Sequence, residues 1–277
     1  MSGHAMPDPA LVDALRGARH VTVFTGAGMS AESGIPTFRD RMTGLWALTD
    51  PMEVATPRAF RANPQRVWDW HVHVAAAVST ARPNDGHRAI AGLAATGRRV
   101  SVVTQNIDGL HQAAGSNAVI ELHGNLFRLK PFVDEAAAFA AAEPPVICGV
   151  CDGYAAWRDC DPYATREDFA ELRLAPGPVP RCPCCGALLR PDVVWFEEML
   201  DPEVLEAAMA AIDDCDLLIC IGSSLEVEPA ASLPWRALSH GARVIEINPQ
   251  PTALSAHVTA LRGKAAEVLP PLLAAIA

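Results

Sequence analysis

The sequence predicts an α/β fold, a doubly wound parallel sheet with a smaller module inserted, on three observations. Short apolar, β-branched runs recur along the chain, longer Ala- and Leu-rich helical stretches alternate with them, and two regions break that rhythm. The runs are His20–Thr25, Arg99–Thr104, Ala118–Leu122, Asp216–Ile221 and Arg243–Ile247. Their near-continuous hydrophobicity suits strands buried on both faces of a parallel sheet. Connectors such as Glu203–Ala211 have helical pattern and supply the crossovers. The breaks are Ser30 to about Arg82, helical in pattern without a convincing strand, and Asn125 to Pro191. The second break holds most of the cysteines and a Pro/Gly-rich loop from Ala175 to Pro183. Together the two breaks are expected to form a module over the sheet.

Composition narrows the function. The 277 residues are 50% apolar and 19% charged, with a mean hydropathy of +0.15, which excludes a disordered chain. No apolar run approaches the length of a membrane span; the longest core-like run is Leu217–Ile221. Met1 to Ala18 has no basic flank followed by an apolar block, so no export signal is expected. A net charge of −10 opposes binding to a nucleic-acid backbone but is compatible with a basic, lysine-rich peptide. Eight cysteines without an export signal suggest reduced thiols or a metal, so a cytoplasmic location is expected.

In an open parallel sheet ligands bind beyond the carboxyl ends of the strands. After the first strand comes Gly26-Ala27-Gly28-Met29-Ser30-Ala31. Its glycines permit close backbone approach, and a helix start there would offer free N–H groups to a diphosphate. An ordinary tight turn has the same pattern, and no second strand ends in an acid about 20 residues on, as a hydride-transfer site would require. After the later strands come Gln105-Asn106-Ile107-Asp108-Gly109-Leu110-His111, His123-Gly124, Gly222-Ser223-Ser224 and Asn248-Pro249. Five strand ends with amides, hydroxyls, one carboxylate and one histidine suit the phosphates, riboses and carboxamide of NAD. The chain is therefore divided into a Rossmann-like NAD-binding domain (1–29, 83–124 and 192–277), a cofactor loop and helical module (30–82) and a cysteine-bearing module (125–191).

Gly26 to Arg39, Gly44-Leu-Trp46, Thr104 to His111, His123-Gly124, Gly222 to Leu225 and Ile247 to Thr252 together resemble the sirtuin family, in family order, between residue 21 and about 270. The resemblance implies an NAD-dependent protein-lysine deacylase, with acyl-lysine entering a cleft between the sheet and a zinc module. It implies that Gly26, Ala27, Gly28 and Ser224 hold the diphosphate, that Ser223 and Asn248 lie near the adenosine ribose, that Ala265 lies near adenine, and that Ser30 and Gly222 also belong to the cofactor site. Phe38 and Arg39 would lie on a loop over the nicotinamide ribose, Gln105 and Asn106 would contact that ribose, and Ile107 and Asp108 would receive the carboxamide. His123 would be the general base and Asn106 its catalytic companion. In the implied chemistry nicotinamide leaves as a neutral molecule and the acyl oxygen attacks the anomeric carbon. His123 then takes a ribose hydroxyl proton, giving free lysine and O-acyl-ADP-ribose. For His111 and His87 a structural hydrogen bond is the expectation.

Three departures qualify the resemblance. The pairs Cys148/Cys151 and Cys182/Cys185 have the spacing of a structural zinc site. The first pair is displaced past an Ala-rich segment, Val133–Glu143; Cys160 and Cys184 are spare ligands, and a module that has lost its metal is the alternative. Cys215 and Cys220 are expected in the core. In Val193-Val194-Trp195-Phe196-Glu197-Glu198 the family has Phe-Gly-Glu where Phe196-Glu197-Glu198 stands. The segment is expected to pair with the substrate backbone, and Glu197 either narrows that groove, attracts a cation, or points to solvent. On the helix from Pro64, His71 and Val74 stand where relatives that remove succinyl groups carry Tyr and Arg. Without that cation an apolar or small acyl group is expected.

The alternatives are protein ADP-ribosyl transfer, which would not need His123, and a nonenzymatic NAD-binding or zinc-ribbon module. Expected partners are acyl-lysine proteins or peptides, with no nucleic acid and no membrane, and the chain is expected to be monomeric.

Overall fold

The protein is seen in a computed structural model that describes residues 9–37, 50–132, 177–181 and 187–276. Six strands form one parallel sheet in the order β3-β2-β1-β6-β7-β8: β1 His20–Thr25, β2 Arg99–Thr104, β3 Val119–Glu121, β6 Leu217–Ile221, β7 Arg243–Ile247 and β8 Thr259–Leu261. All five expected strands are present, two of them trimmed at their ends. The unexpected β8 is a three-residue edge strand, too short to show in the hydrophobic pattern.

Alternation along the strands divides the apolar residues between two faces. Val21, Val23, Val102, Ile219, Ile221, Ile245 and Ile247 bury one face under α1 (Pro9–Gly17), α4 (Asp85–Leu93) and α8 (Ala265–Ala274). Phe24, Val103, Leu218, Cys220 and Val244 bury the other under α6 (Pro202–Asp213) and α7 (Leu233–Ser239). Helices therefore cover both faces, the arrangement that makes each strand apolar on both sides. Cys215 and Cys220 are buried free thiols, as expected, and burial pushes both upward, Cys215 to about 11.

The chain leaves β1 toward β2 and β3 on one side and later takes up β6, β7 and β8 on the other. The β1/β6 boundary is thus the topological switch point, where α/β sheets open a crevice. There the turn after β1 packs directly on the turn after β6. A Cβ on Gly26 would lie 2.7 Å from Ser223 Cα, and one on Gly28 would lie 2.7 Å from Gly222 Cα. The glycines serve first to let these two turns touch.

A second core forms beside the sheet. The region from Asn125 to Pro191, expected to be loop and cysteine module, contains two strands among its described residues. β4 (Gly124–Pro131) and β5 (Leu189–Val193) pair antiparallel. Phe60 of α2 (Pro57–Ala62) and Val67, Trp68, Val74 and Val78 of α3 (Pro64–Ser79) pack against Leu126, Phe127, Leu189, Val193 and Trp195. The two breaks in the sequence rhythm are therefore one module with a shared core. The Ala-rich segment, Phe38, Arg39 and Cys148, Cys151, Cys160, Cys182, Cys184 and Cys185 lie outside the described residues.

The module joins the sheet at His123-Gly124. Gly124 has φ +78°, and a Cβ there would land on the Asp192 carbonyl oxygen. Gly115 has φ +100° with nothing near its missing Cβ, so it isolates the conformational part of the cost. Gly115→Ala should cost about 1–2 kcal/mol and Gly124→Ala distinctly more, with urea unfolding as the measurement. Equal losses would mean that the carbonyl yields and the joint is soft.

Candidate active site at the switch point

Two strings of hydrogen bonds line the carboxyl edge of the sheet. In the first, Asn248 Nδ2 donates to the Ser223 carbonyl (2.8 Å), Gln105 Nε2 donates to Ser223 Oγ (2.9 Å), and His123 Nδ1 donates to the Gln105 carbonyl (3.0 Å). In the second, Ser30 Oγ donates to Asp108 Oδ2 (2.7 Å), while Asn106 Nδ2 donates to Ser30 Oγ (3.2 Å) and to the Gly26 carbonyl (3.1 Å). The structure thus brings together Gly26, Gly28, Ser30, Gln105, Asn106, Asp108, His123, Gly222, Ser223 and Asn248. Asp108 Oδ1 also accepts from Leu110 N (2.9 Å) and so starts the short helix α5, Leu110–Ala113.

The bond from His123 fixes its tautomer. A carbonyl oxygen can only accept, so the proton sits on Nδ1 and Nε2 keeps its lone pair. Burial holds the ring below its ordinary pKa of 6.5, opposed by the bond to Gln105. The side chain is a neutral imidazole with a basic Nε2 at neutral pH.

One expectation is corrected. No helix start with free N–H groups follows β1; two 3₁₀ turns do, Ala27–Met29 and Ala31–Ser33. Gly28 N donates to the Gly222 carbonyl, Met29 N to Gly26 and Ser30 N to Ala27. The neighbouring turn takes one donor, Gly28 N, and the 3₁₀ turn itself takes two more, all of which an α-helix start would leave open. Ala27 is exposed and Ala265, buried at the first turn of α8, lies behind this turn near Gly86. Ile107 caps the second core, its carbonyl accepting from Leu126 N at 2.9 Å.

The expected substrate residues sit on the module side. Val194 N donates to the His123 carbonyl (2.9 Å) and Phe196 N to the Ala55 carbonyl (3.0 Å). Val74 is core. His71 is buried, its Nδ1 donating to the Val67 carbonyl (2.8 Å) and its Nε2 accepting from Trp195 Nε1 (3.1 Å). Both ring nitrogens are used inside the protein, and burial pushes the ring down to about 4. Glu197 adopts φ +71°, the left-handed conformation that favours glycine, and its partly exposed carboxylate lies 3.9 Å from Arg58.

His111 and His87 are structural, as expected. His111 Nε2 lies 3.0 Å from Thr25 Oγ1, and His87 Nδ1 accepts from Asn84 N (3.3 Å) in a capping box at the start of α4. Sequence reasoning missed three supports of the site. Thr25 and Thr104, the last residues of adjacent strands, bond to each other (2.8 Å), and Thr104 also accepts from Asn106 N (3.0 Å). Asn84 ties α4 to the glycine turn through the Met29 carbonyl (2.9 Å). Buried Arg190 and partly buried Glu198 pair beneath Trp195. The threonines were legible as strand ends; the other pairings join residues far apart in sequence or folded together by the turn after β5. Among the described residues no group of His, Cys, Asp and Glu has the makings of a metal site.

A sequence model of the Sir2 family matches residues 26–139 and 146–229. The NAD-dependent protein deacylase 1 of Pseudomonas aeruginosa is 44% identical over 265 residues, covering 95% of this chain and 97% of that protein. A solved complex of a Sir2 homologue with NAD superposes with a TM-score of 0.78 at 37% identity, covering 99% of this chain and 96% of the other. Sir2Af2 bound to a myristoylated histone peptide gives a TM-score of 0.66 at 32% identity, covering 96% and 94%.

His71 also makes a measurable contribution to stability. Its folded pKa of about 4 lies below its ordinary 6.5, so between those values the unfolded chain binds the proton and the native state does not. Stability from this residue is intact above pH 6.5 and is lost as pH falls toward 4, at up to about 1.4 kcal/mol per pH unit. Urea unfolding at pH 7, 6 and 5 should show a shallower loss for His71→Gln than for the parent protein. An unchanged slope would mean that the buried ring protonates without cost.

Proposed function

The chain belongs to the Sir2 family and is an NAD-dependent protein deacylase, and from that premise we propose which residues perform the reaction and which acyl groups they accept. The reading is carried by one observation: His123, proton fixed on Nδ1, presents a neutral Nε2 among the polar ends of five parallel strands. The donor set fits NAD. Neutral amides and hydroxyls from Gln105, Asn106, Ser223 and Asn248 suit ribose hydroxyls, and the diphosphate is assigned to the paired turns with Gly26, Ala27, Gly28, Gly222 and Ser224. Ser30 and Asn106 orient Asp108, with Ile107 beside it, for a carboxamide. Phe38 and Arg39 complete the ribose side in this reading, and Ala265 the adenine side.

With nicotinamide gone and the acyl oxygen joined to the anomeric carbon, His123 Nε2 would take the proton of a ribose hydroxyl, whose oxygen would attack the acyl carbon. One water would be consumed as the lysine amine leaves, so the products would be free lysine, nicotinamide and O-acyl-ADP-ribose. The acyl-lysine enters along Val194–Glu197, held next to His123 by the Val194 bond to its carbonyl.

The acyl preference is apolar: acetyl, propionyl, butyryl or crotonyl. His71 supports this reading because it is neutral and spends both nitrogens inside the protein, and Val74 has no charge to offer. A carboxylate-bearing acyl group would be desolvated there without a partner. Zinc is proposed at Cys148, Cys151, Cys182 and Cys185, with Cys160 and Cys184 as spares. Antiparallel pairing of Arg181 with Leu188 draws the chain together on either side of the second pair, which suits a C-x-x-C knuckle. The protein is further proposed to be cytoplasmic and monomeric, its substrates basic peptides attracted by its −10 charge.

Mass spectrometry of peptide and nucleotide products, with NAD and matched acetyl-, butyryl- and succinyl-lysine peptides, tests the assignment. Loss of acetyl and butyryl with O-acyl-ADP-ribose is expected; efficient succinyl loss would overturn the pocket reading, and ADP-ribose on protein would favour transfer. His123→Ala should lower kcat by about 10²–10⁴-fold. Because His123 titrates below its ordinary value, kcat/KM should stay level through neutral pH and fall only below about 6.5. Elemental analysis should find about one zinc per chain, lost in Cys182→Ser.

A further inference from the structure

Arg190 is 2% exposed in β5 and commits its guanidinium almost wholly to one stretch of chain. Its two Nη atoms fork the Glu198 carboxylate, Nη2 also donates to the Val193 carbonyl, and Nε donates to the Pro191 carbonyl at 3.3 Å. The guanidinium carbon lies 3.3 Å above the centre of the Trp195 ring, and Glu198 Oε2 accepts from Trp195 N at 2.7 Å. All these contacts fall between residues 190 and 198.

With Arg190 buried and Glu198 partly so, the ion pair is a poor means of stabilising a core, since apolar side chains of similar size fill the space without losing hydration. The arrangement makes sense as a shaping device. Between Trp195 and Glu198 the backbone passes through Glu197 at φ +71°, a left-handed conformation that strains a non-glycine residue. The fork holds both ends of this turn. The turn in turn stays in place because Val194 is bonded to His123, Phe196 to Ala55, and Trp195 Nε1 to His71.

We propose that Arg190, acting through Glu198 and Trp195, is a positioning residue for the acyl-peptide: it holds Val194–Glu197 beside His123 in the shape that receives the substrate backbone. Arg190 touches neither NAD nor the reacting atoms, so its effect is confined to peptide engagement. The inference rests on the reading of Val194–Glu197 as the peptide-binding segment.

The test is steady-state kinetics on an acetyl-lysine peptide and NAD, with thermal unfolding alongside. Three clamp variants are compared: Glu198→Gln, Arg190→Lys (charge without the planar fork), and Arg190→Met combined with Glu198→Met, which removes both charges together so that neither is left buried alone. Each should raise the peptide KM about tenfold or more, with NAD KM and kcat within about twofold of the parent. Phe196→Ala, which alters the segment's exposed surface and leaves the clamp intact, should also raise the peptide KM. If it does while the clamp variants leave KM unchanged, the segment binds peptide but Arg190 does not position it. If neither changes KM, the peptide-segment reading fails as well. If peptide KM, NAD KM and kcat all worsen together with the unfolding temperature, Arg190 is a structural residue and the proposal is overturned.

Discussion

Among the described residues the two sheets of this protein are joined most directly at His123-Gly124, where β3 runs into β4, and the place of His123 follows from that joint. β3 ends at Glu121 and β4 begins at Gly124, so the chain turns from one core into the other within three residues. Only a glycine accepts both the φ of +78° and the Asp192 carbonyl pressed against its Cα. Arg128 reinforces the joint by pairing with Glu121 (2.6 Å) on the sheet side and Asp192 (3.0 Å) on the module side. The base therefore stands at the seam of the two cores, its carbonyl accepting from Val194 N and its ring donating to the Gln105 carbonyl.

A second constraint acts at the switch point, where glycine turns from β1 and β6 touch. Their contact replaces the helix start usually found at a dinucleotide site, and Gly28 N is spent across it on the Gly222 carbonyl. Polar side chains from neighbouring strands supply the rest of the donor set. Buried hydrogen bonds among Thr25, Thr104, Asn106, Ser30 and Asp108 hold those side chains in fixed orientations. Such a network is worth its desolvation only if each member is satisfied.

Burial sets the charge state of the module side. His71 and His123 are both held neutral by desolvation, yet their uses differ: His71 has both nitrogens engaged, while His123 keeps Nε2 open. The charged groups nearby, Arg190 with Glu198 and Arg128 with Glu121 and Asp192, are paired inside the scaffold rather than offered to a substrate.

The sequence by itself determined the parallel sheet, because strands buried on two faces must be apolar throughout, and it placed Gln105, Asn106, Asp108, His123, Ser223 and Asn248 at strand ends. It also marked Glu197 as out of place for a glycine position, which the left-handed backbone there explains. Only the tertiary structure decided the rest. β4 and β5 are separated by more than fifty residues, so their pairing leaves no local periodic signal. The tautomer of His123 depends on a carbonyl eighteen residues away, the neutrality of His71 on burial in a shared core, and the occupation of its Nε2 on Trp195, 124 residues away. A hydrogen-bond partner or a loss of hydration is a property of neighbours in space, and the linear order of residues does not record it.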